Sequence, residues 1–190
     1  MNTQLQNDSS ARTVYKNMNT SKKQILITDF SNLAGQQWQI VNDGVMGGLS
    51  SSHLQINEDG NAVFIGHVSL QNNGGFASVK NSESLSIEGT EFIRLHVKGD
   101  GKKYSFRLRT KTGEERNHWV YEIRFGTSKN KWEIIDLPLS DLIAVFRGRT
   151  QPDAPPADLS GIIEYGFLIS DKQEGDFRLE IDSIHAIVKS

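Results

Sequence analysis

At 190 residues the chain is long enough for one domain with a substantial buried core and too short for two. Its 21 basic and 23 acidic side chains nearly cancel, so no global field draws it to nucleic acid and any electrostatic recognition has to be local. The absence of cysteine removes disulfides, thiol catalysis and thiolate metal sites together, and no apolar run is long enough to insert across a bilayer.

Residues 1–24 are rich in Asn, Ser, Thr and Gln without a sustained apolar period, which predicts a disordered polar tail ahead of a single domain over 25–190. Arg12, Lys16, Lys22 and Lys23 against Asp8 leave room for a weak organelle-targeting peptide; a solvated tail on a cytoplasmic protein is the default expectation.

The segment from Trp38 to Ser50 joins turn chemistry to unusual apolar choices. Asp43-Gly44 and Gly47-Gly48 supply positions where positive φ or close chain approach is allowed, with Met46 between them read as an adaptable apolar plug walled by Trp38. Asn72, Asn73, Gly74 and Gly75 predict a second tight reversal, after which Phe76 opens a strand. The two loops are expected side by side as a rigid, partly buried surface, with Asp43, Met46, Ser50, Asn72, Asn73 and Phe76 as candidate binding residues.

Beyond this point short alternating runs are separated by turns at 59–60, 73–74, 99–101 and 112–113, the pattern of an antiparallel sandwich. Ile93, Leu95 and Val97 oppose Arg94 and His96; Phe106 and Leu108 oppose Ser105, Arg107 and Arg109. Trp119, Tyr121, Ile123 and Phe125 oppose Glu122 and Arg124, while Phe177, Leu179 and Ile181 oppose Arg178, Glu180 and Asp182. Trp132, in phase with Ile134, reads as core. Leu139, Leu142, Ile143 and Phe146 fall at helical spacing after Pro138, with Ser140 as a cap, and predict one short helix. Pro152, Pro155 and Pro156 make 151–158 an extended surface loop. The fold class is therefore all-β, an antiparallel β-sandwich with one short helix.

Arg94, His96, Arg107, Arg109, Glu122 and Arg124 would form one contiguous patch if their strands were neighbours, either a solvated face of cross-strand pairs or a surface for carboxylates, sugar hydroxyls or an acidic protein stripe. His53, His67, His96, His118 and His185 are dispersed, and no metal or cofactor is assigned. Residues 57–60 read as a hairpin turn, and the sequence carries no phosphate loop, dinucleotide fingerprint or nucleophile elbow. These readings predict a noncatalytic protein.

The run Trp38 through Asp43-Gly44-Val45-Met46-Gly47-Gly48 and Ser50, the Asn72-Asn73-Gly74-Gly75-Phe76 turn, and the stretches at 104–109, 132–139, 146–149 and 166–179 resemble the complex I intermediate-associated protein 30 family. The resemblance covers about residues 25–188 and implies a galactose-binding-like jelly roll, the fold of carbohydrate-binding modules. It also implies assistance in assembling respiratory complex I, as mitochondrial members provide, with complex subunits or assembly intermediates as partners and a mitochondrial location if the basic tail is a targeting peptide. Trp38, Gly44, Gly47, Gly48, Gly74 and Gly75 then serve as the structural frame of the motif. The expected activity is protein binding as an assembly factor or chaperone-like adaptor; ligand binding in the manner of a carbohydrate-binding module is the alternative, and an enzyme on a small polar substrate the third reading.

Overall fold

The computed structural model describes residues 23–31, 36–111 and 119–189, which build two antiparallel sheets packed face to face. The first sheet runs β3 (Ser51–Ile56), β4 (Ala62–Val68), β13 (Gly175–Val188), β6 (Thr90–Lys98) and β9 (Trp132–Pro138), with β1 (Gln24–Thr28) added along β13. The second runs β11 (Arg149–Thr150), β10 (Ile143–Phe146), β8 (Val120–Gly126), β7 (Lys103–Thr110), β12 (Ile162–Ile169), β5 (Ala77–Asn81) and β2 (Trp38–Asn42).

Alternation decides which residues meet between the sheets, because a strand turns every second side chain to the same face. Ile93, Leu95 and Val97 of β6 and Phe177, Leu179 and Ile181 of β13 are buried from one side; Tyr104, Phe106 and Leu108 of β7 and Tyr121, Ile123 and Phe125 of β8 from the other. Phe177 reaches Tyr104 of the facing sheet edge-on at 6.5 Å, while Phe177 with Phe64 at 4.9 Å and Phe106 with Phe167 at 5.7 Å pack edge-on between neighbouring strands of one sheet. Such offset and edge-on pairs satisfy the ring quadrupoles as well as burying area.

Two local expectations are corrected. Residues 139–146 form no α-helix: a 3-10 turn spans Leu139–Asp141, Leu142 is extended at φ −60 and ψ 126, and Ile143–Phe146 pairs with β8 as a strand. A short apolar run fits either period, and here pairing to β8 wins; Ser140 Oγ donates to the Asp141 carboxylate at 3.1 Å instead of capping a helix. Trp132 and Ile134 do share a face, but it is the outer one, since Ile134 is 42% exposed while Leu137 turns inward. The 57–60 turn is a hairpin as expected, with Asn57 Oδ1 accepting from Asp59 N at 3.1 Å and Asn61 N at 2.9 Å. The 112–113 turn, His118 and residues 1–22 of the tail lie outside the described residues.

Phe106 is 2% exposed at the centre of the core. Phe106→Ala is expected to cost about 3–5 kcal/mol, read as a lower denaturant midpoint at unchanged slope.

Candidate functional site

Two chain crossovers lie together at one end of the sandwich. The loop 43–50 carries the chain from β2 in the second sheet to β3 in the first, and 69–76 carries it back from β4 to β5. The Asp43 side chain joins them. It is fully buried, and its carboxylate accepts hydrogen bonds from Ser50 N at 2.9 Å, the Ser50 hydroxyl, Gly75 N at 2.6 Å and Phe76 N at 3.2 Å. Burial alone would raise its pKa, but the bonds from Ser50, Gly75 and Phe76 outweigh that and hold it below the ordinary carboxylate range.

The glycines make this arrangement possible. A Cβ at Gly48 would collide with the Asp43 carboxyl carbon, and one at Gly74 would stand 2.6 Å from its Oδ2. Gly47 closes the 3-10 turn Asp43–Met46 at φ 88, where side chains are strained. Gly75 also has positive φ, whereas a Cβ at Gly44 would meet open space. Asn72 and Asn73 adopt left-handed backbone, and the Asn72 amide donates to the Gly47 carbonyl at 3.2 Å, linking the loops a second time. Ser69 N donates to Ser50 Oγ at 3.0 Å, a member of the network that the sequence reading missed.

Apolar residues leave this knot outward. Val45 is 75% exposed, Met46 67% and Leu49 55%. Met46 is therefore an outward knuckle and not a plug, and Trp38 does not wall it: the indole stacks on Phe30 at 5.3 Å, meets Tyr165 edge-on at 5.7 Å and donates to Gln36 Oε1 at 2.6 Å. Phe76 is half-buried. Val45 and Leu49 were not singled out from the sequence, although flanking apolar residues around Met46 were a legible signal.

The charged patch divides in two. Arg94 and His96 stand on the outer face of the first sheet, where Arg94 pairs in bidentate fashion with Asp136 at 2.7 and 2.8 Å and His96 Nδ1 lies 3.0 Å from Asp182. Arg107, Arg109, Glu122 and Arg124 stand on the outer face of the second sheet, pointing the opposite way. Glu122 is 1% exposed beneath Arg107 and Arg124, and Lys80, Glu164 and Asp171 complete that lattice. Among the described residues no group of three or more His, Asp or Glu side chains is placed to hold a metal ion, and no helix is long and apolar enough to cross a membrane.

The architecture is that of carbohydrate-binding modules. The family 11 module of the cellulase Lic26A-Cel5E of Clostridium thermocellum superimposes with a TM-score of 0.64 at 15% identity, over 88% of this chain and 95% of that one. The family 11 module of Clostridium thermocellum in complex with a β-1,3-1,4-mixed-linked tetrasaccharide gives 0.62 at 15% identity, over 88% and 96%. At such identity the likeness is one of fold, and it defines a galactose-binding-like jelly-roll sandwich.

The chain belongs to the complex I intermediate-associated protein 30 family, whose profile matches residues 28–181. An uncharacterized protein of Schizosaccharomyces pombe is 28% identical over 185 residues, covering 87% of this chain and 84% of its own. The mitochondrial complex I intermediate-associated protein 30 of Mus musculus is 25% identical over 167 residues, and a probable counterpart of Caenorhabditis elegans 26% over 159. The matches cover 78% and 72% of this chain but only 51% and 46% of those proteins, about half their length.

Asp43→Asn is expected to destabilise the fold by about 1.5–3 kcal/mol, because the amide group turns a donor toward buried N–H groups. Asp43 with its depressed pKa contributes stability that is complete above the unfolded value of about 4 and is lost as pH falls through the lower folded value. Denaturation between neutral and acid pH should accordingly show a shallower acid loss in the variant than in the wild type.

Proposed function

We propose that this protein works without catalysis, by binding another protein during assembly of a respiratory complex, as its family's name denotes. The observation that carries this reading is the apolar knuckle of Val45, Met46 and Leu49 on a loop fixed by Asp43. Its loop needs little ordering on docking, so more of the contact energy is kept. Burying one aliphatic side chain contributes about 1.5–3 kcal/mol, against about 0–1 for an exposed ion pair, which favours the knuckle over the charged faces as the main source of affinity.

Segments 43–50 and 69–76 contain no Lys or Arg, and their one charged residue, Asp43, is buried. An uncharged apolar knuckle suits a groove on a protein better than an anionic lipid surface, which selects basic residues. The mouse and nematode relatives are named as mitochondrial, which supports an organellar setting over the cytoplasmic default. Subunits or assembly intermediates of complex I are the partners this reading names.

Carbohydrate binding remains the second reading, on the fold likeness to modules such as the tetrasaccharide complex. Sugar stacking needs open ring faces. On the outer face of the first sheet Lys98 lies over Trp132 at 5.3 Å and Arg94 over Phe92 at 5.5 Å, so those rings are already covered.

The double variant Val45→Asp with Met46→Asp should unfold within about 1 kcal/mol of the wild type, since both side chains are solvated. Affinity purification from the native host at normal expression should then lose the complex I intermediates recovered with the wild type. Undiminished recovery would remove the knuckle as the docking element, and their absence from the wild-type sample would remove the assembly role.

A further inference from the structure

The outer face of the second sheet holds more positive than negative charge, and the surplus is concentrated at one place. Glu122 is saturated: its Oε2 accepts from Arg107 Nε and Nη2 at 2.9 and 2.7 Å, and its Oε1 from Arg124 Nε at 3.2 Å. Arg124 also reaches Asp171 at 3.2 Å. Glu164 is bonded to Lys80 at 2.6 Å but lies 3.8 Å from Arg109 Nε, too far for a hydrogen bond. Four cations thus share three carboxylates, and Arg109 Nε is buried with no hydrogen-bond acceptor among the described residues.

The register gathers basic side chains at this point. Gly166 of β12 is opposite Lys80 on β5 and Arg107 on β7, and the neighbouring outward position, Glu164, is opposite Arg109. A Cβ at Gly166 would collide with the Val79 carbonyl, so no side chain stands there, and Gly166 itself is buried beneath its neighbours. Two strand spacings place the Lys80 and Arg107 backbones about 9–10 Å apart.

We propose that this cluster binds a carboxylate of an acidic protein segment, held by Lys80, Arg107 and Arg109. One surplus positive charge matches one carboxylate, and charge-assisted hydrogen bonds to guanidinium and ammonium groups supply the selectivity. No aromatic side chain points outward from β5, β7, β8 or β12, so the face lacks the stacking platform that a sugar acid would use. The site lies on a sheet face and the apolar knuckle on the crossover loops, so each stands without the other.

The test is an amide chemical-shift titration of the full chain with an acetylated, amidated tetraglutamate peptide, with tetraglutamine and tetragalacturonic acid as comparators. Tetraglutamate should shift the amides around Lys80, Arg107 and Gly166, and binding should weaken about tenfold in Lys80→Gln or Arg109→Gln. These two variants leave Glu122 with both arginine partners, whereas Arg107→Gln would strand a buried carboxylate. Raising salt from about 20 to about 300 mM should weaken binding similarly, as screening predicts. Arg149→Gln, an exposed charge on the sheet's edge, should bind as the wild type does. The Val45→Asp, Met46→Asp protein should also bind the peptide normally, which separates failure of this site from failure of the knuckle. The proposal is overturned if tetraglutamate shifts nothing at these residues, if tetraglutamine binds equally, or if tetragalacturonic acid binds more tightly and identifies a uronate as the ligand.

Discussion

A single buried carboxylate fixes how the two sheets meet. The chain crosses between sheets at 43–50 and returns at 69–76, and Asp43 accepts hydrogen bonds from both crossovers. An isolated buried charge is costly, yet this one is saturated by backbone N–H groups and a hydroxyl, which are donors that carry no compensating charge and cannot move away. The edge formed by β3 and β4 is thereby held over the edge formed by β5 and β2. The glycines follow from this demand, since Gly48 and Gly74 lie where any side chain would displace the carboxylate.

That constraint explains how a surface loop can show aliphatic side chains without collapsing onto the core. In a mobile loop Val45, Met46 and Leu49 would fold back to bury themselves; a 3-10 turn closed by Gly47 and tied down through Asp43 denies them that freedom. The energy that stabilises the knot is spent inside it, and its apolar residues are left for an external contact.

Much of the core was legible in the sequence because period-two alternation is a local property of a strand. Phe106 with Leu108, Tyr121 with Ile123 and Phe177 with Leu179 all face inward as their spacing predicts. The neighbourhood of Asp43 was legible too, because turn residues act within a few positions of themselves. Alternation does not say which strand lies beside which, however, and so could not show that Arg94 and Arg107 belong to different sheets. Nor does it distinguish inner from outer face on β9, where Ile134 and Ile135 are consecutive aliphatics and Trp132 follows the outer one. At 143–146 the deciding factor is pairing with β8, a partner some twenty residues away that no local spacing encodes.

Each sheet buries one glutamate on its outer face beneath basic side chains: Glu122 under Arg107 and Arg124, and Glu180, at 5% exposure, beside Arg178 and Lys98. Such lattices add little to folding once desolvation is set against attraction, but they hold long side chains in fixed positions. A fixed array of donors can impose register on a partner where an apolar contact imposes none. The molecule accordingly separates two requirements of recognition, with the aliphatic knuckle suited to affinity and the charged sheet face suited to orientation. Both depend on the same sandwich, because the register that sets Gly166 between Lys80 and Arg107 runs through β5, the strand that begins where Asp43 binds the backbone of Phe76.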